Sequence, residues 1–79
     1  MKIIVRIMLN NEDARKDLHD NLRRLNIEFN PVGATSFVVK NIIGSKNNVA
    51  FTTEKSINVY VDNKDLDYYE MCIEEGKHE

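Results

Sequence analysis

The sequence lacks several residue types on which common sites depend. It has no tryptophan, a single cysteine, a single proline and three glycines among 79 residues. The one cysteine, Cys72, excludes an intramolecular disulfide and any zinc site built from several cysteines. The glycines stand alone at positions 33, 44 and 76, so no glycine-rich phosphate loop is present. These absences argue against several large classes of enzyme.

Long hydrophobic runs are also missing. Residues 3–9 are the most apolar stretch, but Arg6 interrupts them and no small-residue cleavage site follows, unlike in a signal peptide. Nothing approaches the ~20 apolar residues of a membrane span. We therefore expect a cytoplasmic protein that does not contact a membrane. Ten asparagines and eight isoleucines against three alanines indicate AT-rich coding, which predicts a bacterial or phage origin.

Charge is divided unevenly along the chain, although the net charge is only −2. Residues 1–61 carry nine Lys or Arg and six Asp or Glu, whereas residues 62–79 carry two and seven. A hydrophobic content of 42% with 30% charged residues is typical of a globular domain rather than a disordered chain. The length predicts one domain over residues 1–79, with residues 76–79 as a frayed tail.

Alternation of apolar and polar residues predicts four β-strands. They cover residues 2–9, 35–43, 49–53 and 57–61. In the second of them, Phe37, Val39 and Ile43 are predicted to share one face, with Val38, Lys40 and Ile42 on the other. With two helices, these strands give an α+β fold of order β-α-β-β-β-α, a small sheet of about four strands with both helices on one face. The alternative is a ferredoxin-like order, β-α-β-β-α-β.

The two helices are predicted from their caps and their apolar spacing. The first opens in the segment Asn10–Asp13, where an asparagine side chain can cap free backbone N–H groups, and ends near Leu25 or Asn26. The second follows the predicted capping residues Asp62 and Asn63 and covers residues 64–75, because its apolar residues recur at helical spacing. These residues are Leu66, Tyr69, Cys72 and Ile73. We expect them to be buried against the sheet.

The titratable side chains do not form a recognisable catalytic or metal site. Asp13, Asp17 and Asp20 share one flank of the first helix, where Arg24 neutralises them. His19 lies on another side of that helix from Asp17 and Asp20, so they cannot converge on one ion. We therefore predict a protein that is not an enzyme and has no cofactor or metal. A competing interpretation, a metal-dependent nuclease completed across a dimer, would use Asp13, Asp17 and His19.

The acidity of the predicted second helix points to a function. An acidic face can attract a basic surface on another protein and speed the encounter. The predicted partner-binding residues are Asp67, Tyr68, Glu70, Glu74 and Glu75. We predict an inhibitor, adaptor or regulator that acts through protein–protein contact. A homodimer that forms through a sheet edge is a further prediction.

A dimeric nucleic-acid-associated module is the alternative function. It would use basic residues of the hairpin region and the first helix, with one aromatic ring on which a base could stack. These residues are Arg15, Arg23, Lys40, Lys46, Lys55 and Tyr60. The slightly acidic overall charge argues against this alternative.

Overall fold

The computed structural model describes residues 2–74 and shows six strands and one α-helix. In chain order the elements are β1 (Lys2–Leu9), α1 (Glu12–Arg24), β2 (Phe29–Asn30), β3 (Thr35–Gly44), β4 (Asn48–Thr53), β5 (Asn58–Asp62) and β6 (Leu66–Glu74). A single 3-10 turn, Asn63–Asp65, joins β5 to β6. The predicted frayed tail and the predicted Glu75 contact lie outside the described residues.

The strands form one antiparallel sheet in the order β5-β4-β3-β1-β6. The short strand β2 pairs with the start of β3, where Phe29 lies opposite Phe37. β1 lies inside the sheet, because β3 pairs with one of its sides and β6 with the other. Within residues 2–74, the two ends of the sheet are therefore β5 and β6.

The prediction of about four strands and two helices is wrong, and with it both the β-α-β-β-β-α order and the ferredoxin-like alternative. The segment predicted as the second helix is the strand β6. Its apolar residues Tyr69, Met71 and Ile73 alternate along the strand and lie opposite core-facing residues of β1. β6 pairs with the side of β1 that β3 does not use. A helix at residues 64–75 would have left the backbone N–H and C=O groups on that side of β1 unpaired.

The sheet is strongly curved, so that its two end strands meet at one end of the molecule. Only three residues separate β5 from β6, and a chain spans at most ~3.6 Å per residue. The ring of Phe51 on β4 lies 5.4 Å from the ring of Tyr69 on β6, although two strands separate β4 from β6 in the sheet. The backbone N–H of Asn10 donates to the Asp65 carbonyl at 2.9 Å and holds the connection in place.

The helix α1 packs on the concave face of this sheet, with Leu18 and Leu22 buried. Its predicted start is confirmed, because the Asn11 side chain accepts from the Ala14 N–H at 2.8 Å. Its end is also confirmed. Asn26 adopts the left-handed conformation (φ 58°), and the Ile27 N–H bonds to the Leu22 carbonyl at 2.9 Å. Local signals therefore set both ends of the helix.

The core lies between α1 and the concave face of the sheet. Its buried residues are Val5, Ile7, Leu9, Leu18, Leu22, Ile27, Phe37, Val39, Val49, Phe51, Val59 and Val61. A bulge in β3 between Val39 and Asn41 shifts the alternation by one residue. Ile42 therefore faces the core opposite Phe51, and the prediction that Ile43 shares a face with Phe37 and Val39 is wrong: Ile43 is 51% exposed.

Candidate protein-recognition edge

The strand β6 is a long and exposed edge of the sheet. Eight of its nine residues are exposed, and only Leu66 is half-buried. Pairing with β1 uses one side of its backbone, and no strand among residues 2–74 pairs with the other side. A free strand edge offers N–H and C=O groups to another extended chain. At the other end of the sheet, β5 is a shorter edge of five residues.

An apolar row lies along the concave side of β6. The row consists of Tyr69, Met71 and Ile73, which are 37%, 57% and 56% exposed. These three residues lie opposite Ile7, Val5 and Ile3 of β1, so the row continues the core surface out to the free edge. Their alternation is visible in the sequence, but the predicted helix buried Tyr69 and Ile73 and left Met71 unassigned.

A shallow cavity lies beside this apolar row. Its volume is about 220 Å³, and its apolar lining comes from β1, β3 and β6. These apolar residues are Ile3, Val39, Ile42, Tyr69 and Met71. The cavity opens at the end of the concave face away from the β5–β6 connection, because Ile3 lies at the start of β1 opposite Ile73. An apolar side chain placed against Met71 would be close to this opening.

The predicted acidic helix does not exist, and its acids lie on β6. The structure places Tyr68, Glu70 and Glu74 together on the outer face, opposite to the apolar row. The fourth described residue of the predicted site, Asp67, lies at an irregularity in the pairing and is also exposed. The structure thus brings most of the predicted partner-binding residues onto one strand.

Two basic residues of β1 lie next to the outer-face acids. The Arg6 guanidinium is 3.7 Å from the Glu70 carboxylate, and Lys2 lies opposite Glu74 in the register. Cross-strand pairs of opposite charge stabilise antiparallel strands by a few tenths of a kcal/mol up to ~1 kcal/mol. Glu70 and Glu74 therefore have a local role in pairing β6 with β1, and they give this face little net charge.

The structure does not gather the residues of the nucleic-acid alternative into one patch. Lys55 donates to the Leu25 carbonyl at 2.8 Å and caps the end of α1, whereas Lys46 lies in the loop at the opposite end of β4. Lys40 donates to the Ser56 hydroxyl at 2.8 Å, and Tyr60 is exposed on the outer face of β5. Arg15 and Arg23 remain together on α1.

Those two arginines flank His19, which is a packing residue rather than a fully solvated one. Its Nε2 lies 2.8 Å from the hydroxyl of Thr35, and its ring stacks on Phe29 at 5.1 Å. Burial, followed by the positive charges of Arg23 and Arg15, lowers the pKa of His19 below its usual 6.5, while Asp20 opposes the shift. The neutral imidazole therefore partners Thr35, whose side chain is buried.

The remaining candidates for chemistry are dispersed. In the part of the chain that the structure describes, no three His, Cys, Asp or Glu side chains come together where they could hold a metal ion. Cys72 is exposed on β6, so the prediction that it is buried on a helix is wrong. Across residues 2–74 no helix is long and apolar enough to cross a membrane.

Comparisons with protein-family models, with curated proteins and with solved structures find no match to this chain. Function is therefore inferred from the contacts, burial and charges of the chain itself. Among its surfaces, the β6 edge combines three properties that bear on binding. These are free backbone groups along nine residues, an exposed apolar row, and a charged outer face that β1 largely neutralises.

Proposed function

We propose that the protein is a non-enzymatic binding module whose β6 edge pairs with an extended segment of a partner protein. The observation that supports this proposal is the exposed apolar row of Tyr69, Met71 and Ile73 beside a free strand edge. Exposed apolar surface next to unpaired backbone is costly for a solitary domain and typical of strand-addition sites. An inhibitor, an adaptor or a regulator could each use such an edge. The single cysteine fits a reducing, cytoplasmic setting.

The chemistry of β6 defines the partner segment. Main-chain hydrogen bonds to the free edge supply affinity, and alternate side chains supply specificity. Side chains that lie beside Met71 and Ile73 should be apolar, because they extend the core surface. Side chains on the other face lie beside Glu70 and Glu74, which Arg6 and Lys2 of β1 counterbalance, so polar residues fit there without a required charge. The partner is therefore an extended segment that alternates apolar and polar residues, and basic residues on its polar side would keep the predicted basic surface.

A synthetic nine-residue peptide of alternating valine and lysine tests this proposal. We expect it to shift the backbone amide signals of β6 in an NMR titration of the labelled protein. Ile73→Lys should weaken binding at least ~10-fold, about 1.4 kcal/mol, because it places a charge on the apolar row, beside the valines of the peptide. The matched control is Ile43→Lys, since Ile43 is 51% exposed on β3 against 56% for Ile73 on β6.

Two results would contradict the proposal. One is an equal loss of peptide binding in the Ile73→Lys and Ile43→Lys proteins. The other is an absence of shifts along β6 with the peptide, combined with shifts at Arg15, Arg23 and Lys55 when single-stranded DNA replaces it, because the nucleic-acid alternative requires those residues. Circular dichroism on both variants checks that the sheet is intact before binding is compared.

A further inference from the structure

We propose that the extended segment received by β6 is β6 of a second copy of this protein, in an antiparallel pair that joins the two sheets. This inference rests on the proposed function of the β6 edge and names its partner. A second copy brings the same free backbone edge and the same apolar row, and a two-fold axis makes such a contact self-complementary. The pair would extend each sheet into one continuous sheet across the axis.

The register of this pair follows from the faces of β6. Residues directly opposite each other in an antiparallel pair lie on the same face, and a shift of one residue exchanges the faces. Placing Met71 opposite Met71 of the second copy sets Tyr69 opposite Ile73 on the concave side. Aromatic residues opposite β-branched residues form favourable cross-strand pairs. The two apolar rows then become one, flanked by the core surface of each copy.

The charges of the outer face favour the same register. With Met71 at the axis, Glu70 lies opposite Cys72 and Glu74 lies opposite Tyr68, so within residues 68–74 no two acids are directly paired. A pair centred on Glu70 would place that carboxylate against itself, and a pair centred on Cys72 would place Glu70 opposite Glu74. Like charges directly opposite each other destabilise strand pairs.

Basic residues of the neighbouring strand β1 counterbalance the acids of β6, which would otherwise repel those of a second copy. Arg6 lies 3.7 Å from Glu70, and Lys2 lies opposite Glu74. These four residues carry no net charge together, so two copies can approach without strong repulsion between their β6 acids. A contact confined to one strand buries less than the ~800 Å² per partner of a standard interface, so we expect association in the micromolar range.

Disulfide trapping tests both the dimer and its register. The variant is Met71→Cys in a Cys72→Ser background, so that the only thiol lies at the proposed axis. Directly opposite residues have Cα atoms ~4.5–5.5 Å apart, within the ~4.4–6.8 Å that a disulfide spans. We expect a covalent dimer to form under mild oxidation at least ~10-fold faster than in Ile43→Cys with Cys72→Ser, whose thiol is comparably exposed.

The wild-type protein provides the register control. In the proposed pair Cys72 faces Glu70, and its counterpart in the second copy lies diagonally, at ~7–8 Å, where a disulfide is disfavoured. Wild type should therefore cross-link more slowly than the Met71→Cys variant. Faster cross-linking through Cys72 would overturn the Met71 register.

Light scattering and sedimentation of the Cys72→Ser protein show whether the copies associate without a cross-link. We expect a mass that rises with concentration toward a dimer, and Ile73→Lys should abolish the rise. A monomer at all concentrations that still binds the valine–lysine peptide at β6 would overturn the dimer but leave the proposed function standing. A monomer whose β6 signals do not respond to the peptide would overturn both.

Discussion

Replacing Phe51 with alanine should destabilise the protein by about 3–5 kcal/mol, because the side chain is fully buried at the centre of the curved sheet. Its ring contacts Phe37 at 6.4 Å and Tyr69 at 5.4 Å, both in edge-to-face geometry. The substitution leaves a cavity between β3, β4 and β6 and removes the ring contact that joins β4 to β6 across the concave face. A loss of this size is a large fraction of the stability of so small a domain.

Urea denaturation followed by circular dichroism measures the loss, and Tyr60→Ala is the control. Tyr60 is also an aromatic residue of the sheet, but it is 60% exposed on β5. We expect its truncation to cost less than ~1 kcal/mol, as is usual for surface positions. Equal losses for the two variants would show that Phe51 does not occupy the core position described above.

Leu22→Ala should have the second largest effect, a loss of about 2–5 kcal/mol. Leu22 is fully buried on α1 and joins the helix to the concave face of the sheet. Among the described residues α1 is the only α-helix, so the packing of this one apolar stripe carries the whole helix–sheet contact. In a fold with two helices on that face, the second helix would retain part of the core.

Leu25→Ala is the matched control for this substitution. Leu25 lies one turn further along, at the end of α1, and is only half-buried. The same urea measurement should give a loss well below that of Leu22→Ala, because less apolar surface leaves water at this position on folding. A larger loss for Leu25→Ala would indicate that the helix is rotated relative to the sheet.

The sequence was sufficient to predict elements whose signals are local. β1 alternates cleanly between apolar and mixed faces, and it is found at Lys2–Leu9. The helix α1 begins in the predicted segment, with Asn11 as its cap, and its last residue, Arg24, precedes the predicted end near Leu25 or Asn26. Neither element needed information about its neighbours.

The last strand was mispredicted because its residues fit two periods at once. Leu66, Tyr69 and Ile73 recur at helical spacing, while Tyr69, Met71 and Ile73 alternate as in a strand. Whether this segment forms a helix or a strand depends on a tertiary contact. One side of β1 is free to pair with an antiparallel strand, and β6 fills it. Asp62 and Asn63 strengthened the wrong interpretation, because such residues favour the start of an α-helix. In the structure they lie at the start of a 3-10 turn instead.

The same error explains why only part of the candidate site was predicted. Tyr68, Glu70 and Glu74 were assigned to an exposed surface, and they are exposed on the outer face of β6. The apolar row was missed because the predicted helix buried Tyr69 and Ile73. The pairing of Arg6 with Glu70 joins residues 64 positions apart, so no local pattern reveals that β1 counterbalances the acids. Whether these residues bind a partner remains a prediction.

Hydrogen exchange of the β6 backbone amides tests most directly whether residues 66–74 form an edge strand that receives a partner. In dilute protein, every second amide should be protected by bonding to β1, and the amides between them should exchange rapidly. Adding the valine–lysine peptide, or raising the protein concentration, should protect this second set. Continuous protection along residues 66–74 in dilute protein would indicate a helix, and an unprotected second set under all conditions would contradict binding at this edge.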